Sequence, residues 1–253
     1  MIIRHPQEGQ KLDVAGLNEI TVLIDRSETA LTEVAINAWT PGLDGPPHVH
    51  ERKEQNFLVL DGHGEVHIGG RTFQAAAGDF FYVPAGMVHQ TISRDPVMGL
   101  RYFLFNAFLD ADKEGHASFA EHIDKVRETR RAQAAQQSAG NTLATASVKP
   151  CKHAAFPKRE NASATILINR DESERCEALA WRLAPNASVN LGIDSNKEQV
   201  LFIVGGNGTV SIKDETAQVR KWNTLFVPAG QAAGFVAGPA GLQLVSFGSI
   251  IKR

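Results

Sequence analysis

Cysteine is nearly missing from this chain: Cys151 and Cys176 are the only two in 253 residues. They form no CxxC pair and neither lies near the histidine group of the first half, which excludes a disulfide framework and a thiolate zinc site. Both read as small core or surface residues. A charge excess is missing too. The 26 Lys and Arg against 28 Asp and Glu leave a net charge of −2, so there is no basic field and nucleic acid is not an expected partner. No apolar run reaches the length of a membrane span. The opening Met-Ile-Ile-Arg-His-Pro-Gln-Glu-Gly also lacks the apolar stretch of a signal peptide. The expectation is a cytoplasmic protein with no membrane partner, in which the sequons at Asn161, Asn186 and Asn207 carry no meaning.

What remains is ordinary in amount: 43 % hydrophobic and 21 % charged residues, as in soluble globular proteins. The length suits two domains of about 110 residues each, large enough to bury cores without staples. Short apolar runs broken by glycine and proline recur, among them Phe57-Leu58-Val59-Leu60, Phe80-Phe81-Tyr82-Val83 and Leu201-Phe202-Ile203-Val204. That is the pattern of an all-β sandwich or barrel. Asp61-Gly62-His63-Gly64 and Gly205-Gly206-Asn207-Gly208 supply hairpin-turn chemistry between such runs.

The chain repeats itself. Lys53-Glu54-Gln55, Gly62 and Val83-Pro84-Ala85-Gly86 recur without gaps as Lys197-Glu198-Gln199, Gly206 and Val227-Pro228-Ala229-Gly230. An internal duplication follows. One segment breaks the β pattern: Ser118 and Glu121 are spaced as a capping box, and Phe119, Ile123 and Val126 then repeat at helical spacing while charged residues face outward. This helix is expected to end near Gly140, to pack against a barrel and to join the two copies as a solvated connector.

Histidine marks the first copy alone. Gly42 leads by five residues to His48-Val49-His50, and Gly78 leads to Pro84-Ala85-Gly86 and then His89. Two histidines two apart on a strand point to one face, and the glycine of the Pro-Ala-Gly turn lets the backbone aim a third inward. Three imidazole nitrogens suit Fe, Mn, Ni, Cu or Zn and leave open positions for substrate or water. In the second copy the equivalent positions hold Gly192, Asp194 and Ala233. One cup with a metal and one without is the expected arrangement. His63, His67, His116, His122 and His153 lack such a setting and read as surface residues.

These residues resemble the cupin superfamily, whose first motif is Gly-x5-His-x-His-x3or4-Glu-x6-Gly and whose second is Gly-x5-Pro-x-Gly-x2-His-x3-Asn. The match covers residues 35 to 105 strongly and 180 to 250 more weakly, and the two copies make the chain similar to bicupins. The resemblance implies two tandem double-stranded β-helix barrels with a short helical linker: an N-terminal metal barrel over 1–112, a linker over 113–145 and a metal-free barrel over 146–253. His48-x-His50-x4-Gln55-Asn56-Phe57 is similar to quercetin-dioxygenase-like cupins. The fourth ligand stays open between Gln55, Glu54 and neither, the last leaving a three-histidine site. Counting back from Gly62 selects Gln55, which shares a strand face with Phe57 and Val59, whereas counting on from His50 selects Glu54. The segment recurs in the copy without histidines, so it also fits a role in the fold.

The expected metal ligands are therefore His48, His50, His89 and Gln55, holding one divalent transition ion, with Glu54 as the catalytic carboxylate if it swings in. The implied function is a dioxygenase acting on an enolisable or phenolic small molecule. Lewis-acid isomerisation, lyase or hydrolase chemistry is the second reading, and a non-catalytic small-ligand-binding cupin is the third. The ligand-free barrel reads as structural or dimerising, or as a metal-independent pocket in which Asp194 and Gln199 hold a polar ligand, and a homodimer is expected by the resemblance.

Overall fold

The computed structural model describes residues 1–135, 152–155 and 164–251. The expected helix end near Gly140, the linker boundary at 145 and Cys151 lie outside the described residues. The fold is all-β with one helix. Strands run in chain order through β1 (Ile2–Arg4), β2 (Gln10–Asp13), β3 (Asn18–Ile24), β4 (Thr32–Trp39), β5 (Lys53–Ile68), β6 (Arg71–Ala76), β7 (Asp79–Val83), β8 (His89–Ser93) and β9 (Leu100–Phe108). Helix α1 spans Phe119–Ala135. The second half contributes β10 (Lys152–Ala155), β11 (Ala164–Ile168), β12 (Cys176–Leu183), β13 (Ser188–Asn190), β14 (Lys197–Ile212), β15 (Glu215–Arg220), β16 (Thr224–Val227) and β17 (Ala233–Ile250).

The duplication is visible in the pairing. Strand β5 lies between β7 and β9 and bends on to pair with β6 and β8, and β14 does the same with β16, β17 and β15. The repeated glycine has a steric cause. Gly62 and Gly206 hold φ of 74° and 77°, and a Cβ at either would stand 1.9 or 2.1 Å from the carbonyl oxygen of Gly99 or Gly241. Only glycine permits that close crossing of strands.

The two halves exchange strands. β1 opens the chain yet pairs antiparallel with β16 of the second barrel, and β10 begins the second half yet pairs with β7 of the first. Between the barrels, the outer sheet faces pack through Phe103 on Phe202 at 4.1 Å and Phe105 on Phe247 at 5.1 Å between ring centroids. Leu58, Phe80, Val200 and Val245 complete this shared core. Strand β5 is thereby buried on both faces, which is why its apolar run is continuous rather than alternating.

Helix α1 sits on the first barrel. Phe119 and Ile123 are buried against Leu12, Ile20 and Val22. Its N-terminus is capped by Asp25 Oδ2, which accepts from Phe119 N at 2.9 Å, and by Ser118 Oγ, which accepts from Glu121 N at 3.2 Å. Glu121 reaches back to Ala117 N at 2.8 Å, one residue earlier than a capping box requires. Among the described residues no helix is long and apolar enough to cross a membrane.

Candidate metal centre

His48 and His89 meet as an isolated antiparallel bridge, each amide donating to the other's carbonyl at 2.9 Å. Gly86, at a φ of 74°, donates to the carbonyl of His50 at 2.8 Å, so the Pro-Ala-Gly turn docks on the HxH segment. His48 and His50 precede β5 in irregular backbone rather than in a strand. Their rings nonetheless converge. Centroids lie 4.9 Å apart for His48 and His50, 4.2 Å for His48 and His89, and 5.4 Å for His50 and His89. One ring nitrogen from each lies within 4.8 Å of the others.

Second contacts orient the rings. His48 Nδ1 and His89 Nδ1 each lie 3.0 Å from a backbone carbonyl, of Pro46 and Met87 respectively. His50 Nδ1 faces Glu114 Oε1 at 3.7 Å. With Nδ1 turned to oxygen, Nε2 is the nitrogen left for an ion, the usual arrangement of metal-bound histidine. His89 Nε2 is buried and makes no hydrogen bond, and neither does Gln55 Oε1. Orphaned buried polar atoms are costly. An ion at the triad offers His89 Nε2 a partner, and the three-nitrogen donor set fits one divalent transition ion.

Burial, then the charge of Lys53 and the neighbouring histidines, pushes His50 well below the ordinary imidazole pKa; burial and then His48 do the same to His89. Burial, then Lys53 and Arg26, lowers His122 in the same way. In the metal-free protein these groups stay neutral while unfolded histidines protonate, so the unfolded state binds more protons below about pH 6.5. Stability is present above that value and is lost as pH falls toward the folded pKa values. Denaturant melts of the metal-free protein from pH 7.5 to 5 are expected to show a falling midpoint, and a flat midpoint would contradict the burial of these rings.

The triad opens into a cavity of about 460 Å³. Its apolar wall includes Trp39, Phe57 and Leu104, and Gln55 projects into it from β5. Asn18 Nδ2 donates to Asn37 Oδ1 at 2.8 Å, and Asn37 Nδ2 and Trp39 Nε1 donate to the Tyr102 hydroxyl at 2.9 and 3.2 Å, tying this wall together.

Glu54 does not line the cavity. Adjacent strand residues point to opposite faces, so Gln55 turns to the cavity that the triad also lines and Glu54 turns to the second barrel. There its carboxylate accepts from the amides of Glu174, Arg175 and Cys176 at 2.9, 2.9 and 3.0 Å and from the Tyr82 hydroxyl. Burial and this carboxylate raise the Tyr82 pKa. Its repeat Glu198 mirrors it, accepting from the amides of Ala30 and Leu31 at 3.0 and 2.8 Å and from the Thr32 hydroxyl at 2.6 Å. The retained Lys-Glu-Gln of the second copy thus has a structural cause: each glutamate pins a loop of the opposite barrel.

The segment after β9 supplies residues that the motifs do not contain. Glu114, His116, Phe119, His122, Ile123 and Val126 all line the cavity. Helix α1 is a wall of the site as well as a connector, and His116 and His122 differ from the surface positions expected of them. Lys113, Glu114 and Gly115 hold successive φ values of 51°, 62° and 73°. That left-handed run is uncommon outside glycine and clusters at functional sites. It is bolted down by Lys113 Nζ, which donates to the carbonyls of Arg26 and Thr29, and by Arg26 Nη1, which donates to Lys113 O at 2.9 Å. Glu114 then meets buried Lys53 Nζ at 2.9 Å, and Lys53 lies 3.7 Å from Glu33, which Arg26 pairs at 2.6 Å. Burial alone raises the Glu114 pKa, but the Lys53 charge and hydrogen bond outweigh it, and the net shift is downward.

In the second barrel the equivalent positions do other work. Asp194 pairs with Arg170 and accepts from Asn196 N at 2.8 Å, and Ala233 is part of the apolar core with Phe235 and Leu244. Among the described residues, the triad is the histidine cluster with metal-ligand spacing.

Comparison with known proteins agrees with this geometry. A cupin-domain family profile matches residues 38–103, the stretch that holds the triad. The structure of YlbA from E. coli superposes with a TM-score of 0.71 at 12 % identity, covering 99 % of this chain and 91 % of that one. Oxalate decarboxylase from Bacillus subtilis, described with Mn(II) centres, gives 0.66 at 13 % identity over 100 % and 78 %. The fold is that of the two-barrel cupins. The E. coli bacterial pirin YhhW, solved with nickel(II), gives a TM-score of 0.66 at 15 % identity, covering 98 % of this chain and 98 % of that one. No curated protein sequence matches the chain.

Proposed function

We propose that the N-terminal barrel is a metal-dependent enzyme site for a small molecule, and that its reaction is the dioxygenation of an enolisable or phenolic substrate. The observation that carries the reading is the pair of orphaned buried atoms, His89 Nε2 and Gln55 Oε1, on residues that line one cavity with His48 and His50. His48, His50 and His89 hold the ion, with the Gln55 amide oxygen beside them. The bound ion would supply a doubly charged Lewis-acidic centre with open positions for oxygen ligands. Gln55 adds no charge, so the site keeps its full attraction for an anionic oxygen. Trp39, Phe57 and Leu104 exclude water from the substrate body. Glu114, held ionised by Lys53, is the carboxylate facing the cavity and receives the proton that the substrate gives up, the role that Glu54 cannot fill from the opposite face of β5.

The test is elemental analysis of purified protein followed by oxygen-electrode assays with flavonols, 1,3-diketones and hydroxy acids. One divalent transition ion per chain and substrate-dependent oxygen uptake are expected. Turnover with no oxygen consumed would assign the site to Lewis-acid chemistry instead, and absence of metal would remove the enzyme reading.

A further inference from the structure

The cavity has a second polar region that neither the triad nor the wall network accounts for. His122 Nδ1 and His116 Nδ1 are buried and make no hydrogen bond, and His116 Nδ1 stands 3.9 Å from Glu121 Oε1. Both residues line the cavity, their rings lie 5.3 Å apart, and the His122 ring lies 6.5 Å from the His50 ring. That spacing lets one compact molecule reach both the triad and His122. A buried polar atom without a partner in the free protein is a cost that a complementary ligand atom removes.

Charge decides which ligand atom. Lys53 is already shared between Glu114 at 2.9 Å and Glu33 at 3.7 Å, and Arg26 is spent on Glu33. Lys125 at the rim is exposed and faces Glu128. No described cation lining the cavity is free to receive a second anion, and Glu114 would repel one.

We propose that His122, with His116 beside it, forms a hydroxyl-binding subsite, and that the ligand carries one ionisable oxygen at the histidine triad and one neutral hydroxyl at His122. Compact monoanionic hydroxy-enols or hydroxy-phenols fit this description, and dicarboxylates do not. The inference rests on the metal-centre reading above and narrows its substrate class.

Three hydroxypyrones separate the two claims, because they share one chelating end and differ in a single distal group. Allomaltol carries a methyl there, kojic acid a hydroxymethyl and comenic acid a carboxylate. Titration calorimetry on zinc-loaded protein keeps the chemistry redox-silent. Kojic acid is expected to bind about tenfold more tightly than allomaltol, the worth of one net hydrogen bond to a buried group, and comenic acid to bind most weakly. In His122→Phe the advantage of kojic acid over allomaltol is expected to vanish, while His122→Gln, which retains a hydrogen-bonding group, keeps part of it. Equal affinities for all three pyrones, or tightest binding by comenic acid, would overturn the hydroxyl subsite and leave the metal centre standing. An advantage of kojic acid that survives in His122→Phe would overturn it as well. Binding that does not depend on zinc would remove the metal reading and this inference with it.

Discussion

His89→Ala is expected to abolish stoichiometric metal uptake while costing the metal-free protein little stability. The two halves of this result have different causes. His89 contributes one of three converging nitrogens, and its ring is fixed by Met87 O at 3.0 Å. Loss of a mere orienting partner already costs metal sites about 10–100-fold in affinity, and loss of a ligand should exceed that. Without metal, however, the buried Nε2 has no hydrogen bond, so removing the ring removes an unpaired polar group, which offsets part of the cavity and of the lost Met87 O bond. The parent should gain about 4 kcal/mol at a thousandfold excess of ion over its Kd, and the variant nothing. Elemental analysis and paired thermal melts with and without metal measure both. A variant that retains one ion per chain would show that the triad is not the site.

Glu54→Ala should act in the opposite sense, costing stability and sparing metal affinity. The substitution strips four donors of their acceptor in a buried setting: three consecutive amides of the second barrel and the Tyr82 hydroxyl. Leaving a buried donor without its acceptor costs about 1–3 kcal/mol, so the loss is a large share of the roughly 5–15 kcal/mol that a folded domain commands. Glu54→Gln should recover only part, because its amide NH2 faces donors rather than acceptors. Glu198→Ala should cost a comparable amount, since it frees the Ala30 and Leu31 amides and the Thr32 hydroxyl. Denaturant unfolding with metal titration of each variant checks the pair. Loss of metal affinity at unchanged stability would return Glu54 to the site.

These two residues mark where reading the chain succeeds and where it stops. Strand alternation places Gln55 with Phe57 and Val59, and that much is local geometry. The same alternation says that Glu54 points elsewhere without saying at what, because its three amide donors lie 120 to 122 positions along the chain. The persistence of Lys-Glu-Gln in the copy that had lost its histidines was the one available sign of a structural role. Glu114, His116 and His122 left a fainter trace: a carboxylate and two histidines shortly before and within one amphipathic helix. Helical periodicity identifies Phe119 and Ile123 as a buried stripe, but periodicity is silent on whether that stripe covers a cavity or a solid core.

The duplication, the all-β class, the gathering of His48, His50 and His89, and the confinement of that triad to one barrel are all written in residue spacing. They depend on turns, strand periods and close backbone crossings, which act over a few residues or through motifs that repeat. The inter-barrel pins, the exchange of β1 and β10 between sheets, and the polar wall built by the connector depend on which distant segments share a surface. A short strand such as Ile2–Arg4 carries no local preference for β16 over any other edge. Its partner is chosen by the burial of a whole sheet, and that exists only once the chain has folded.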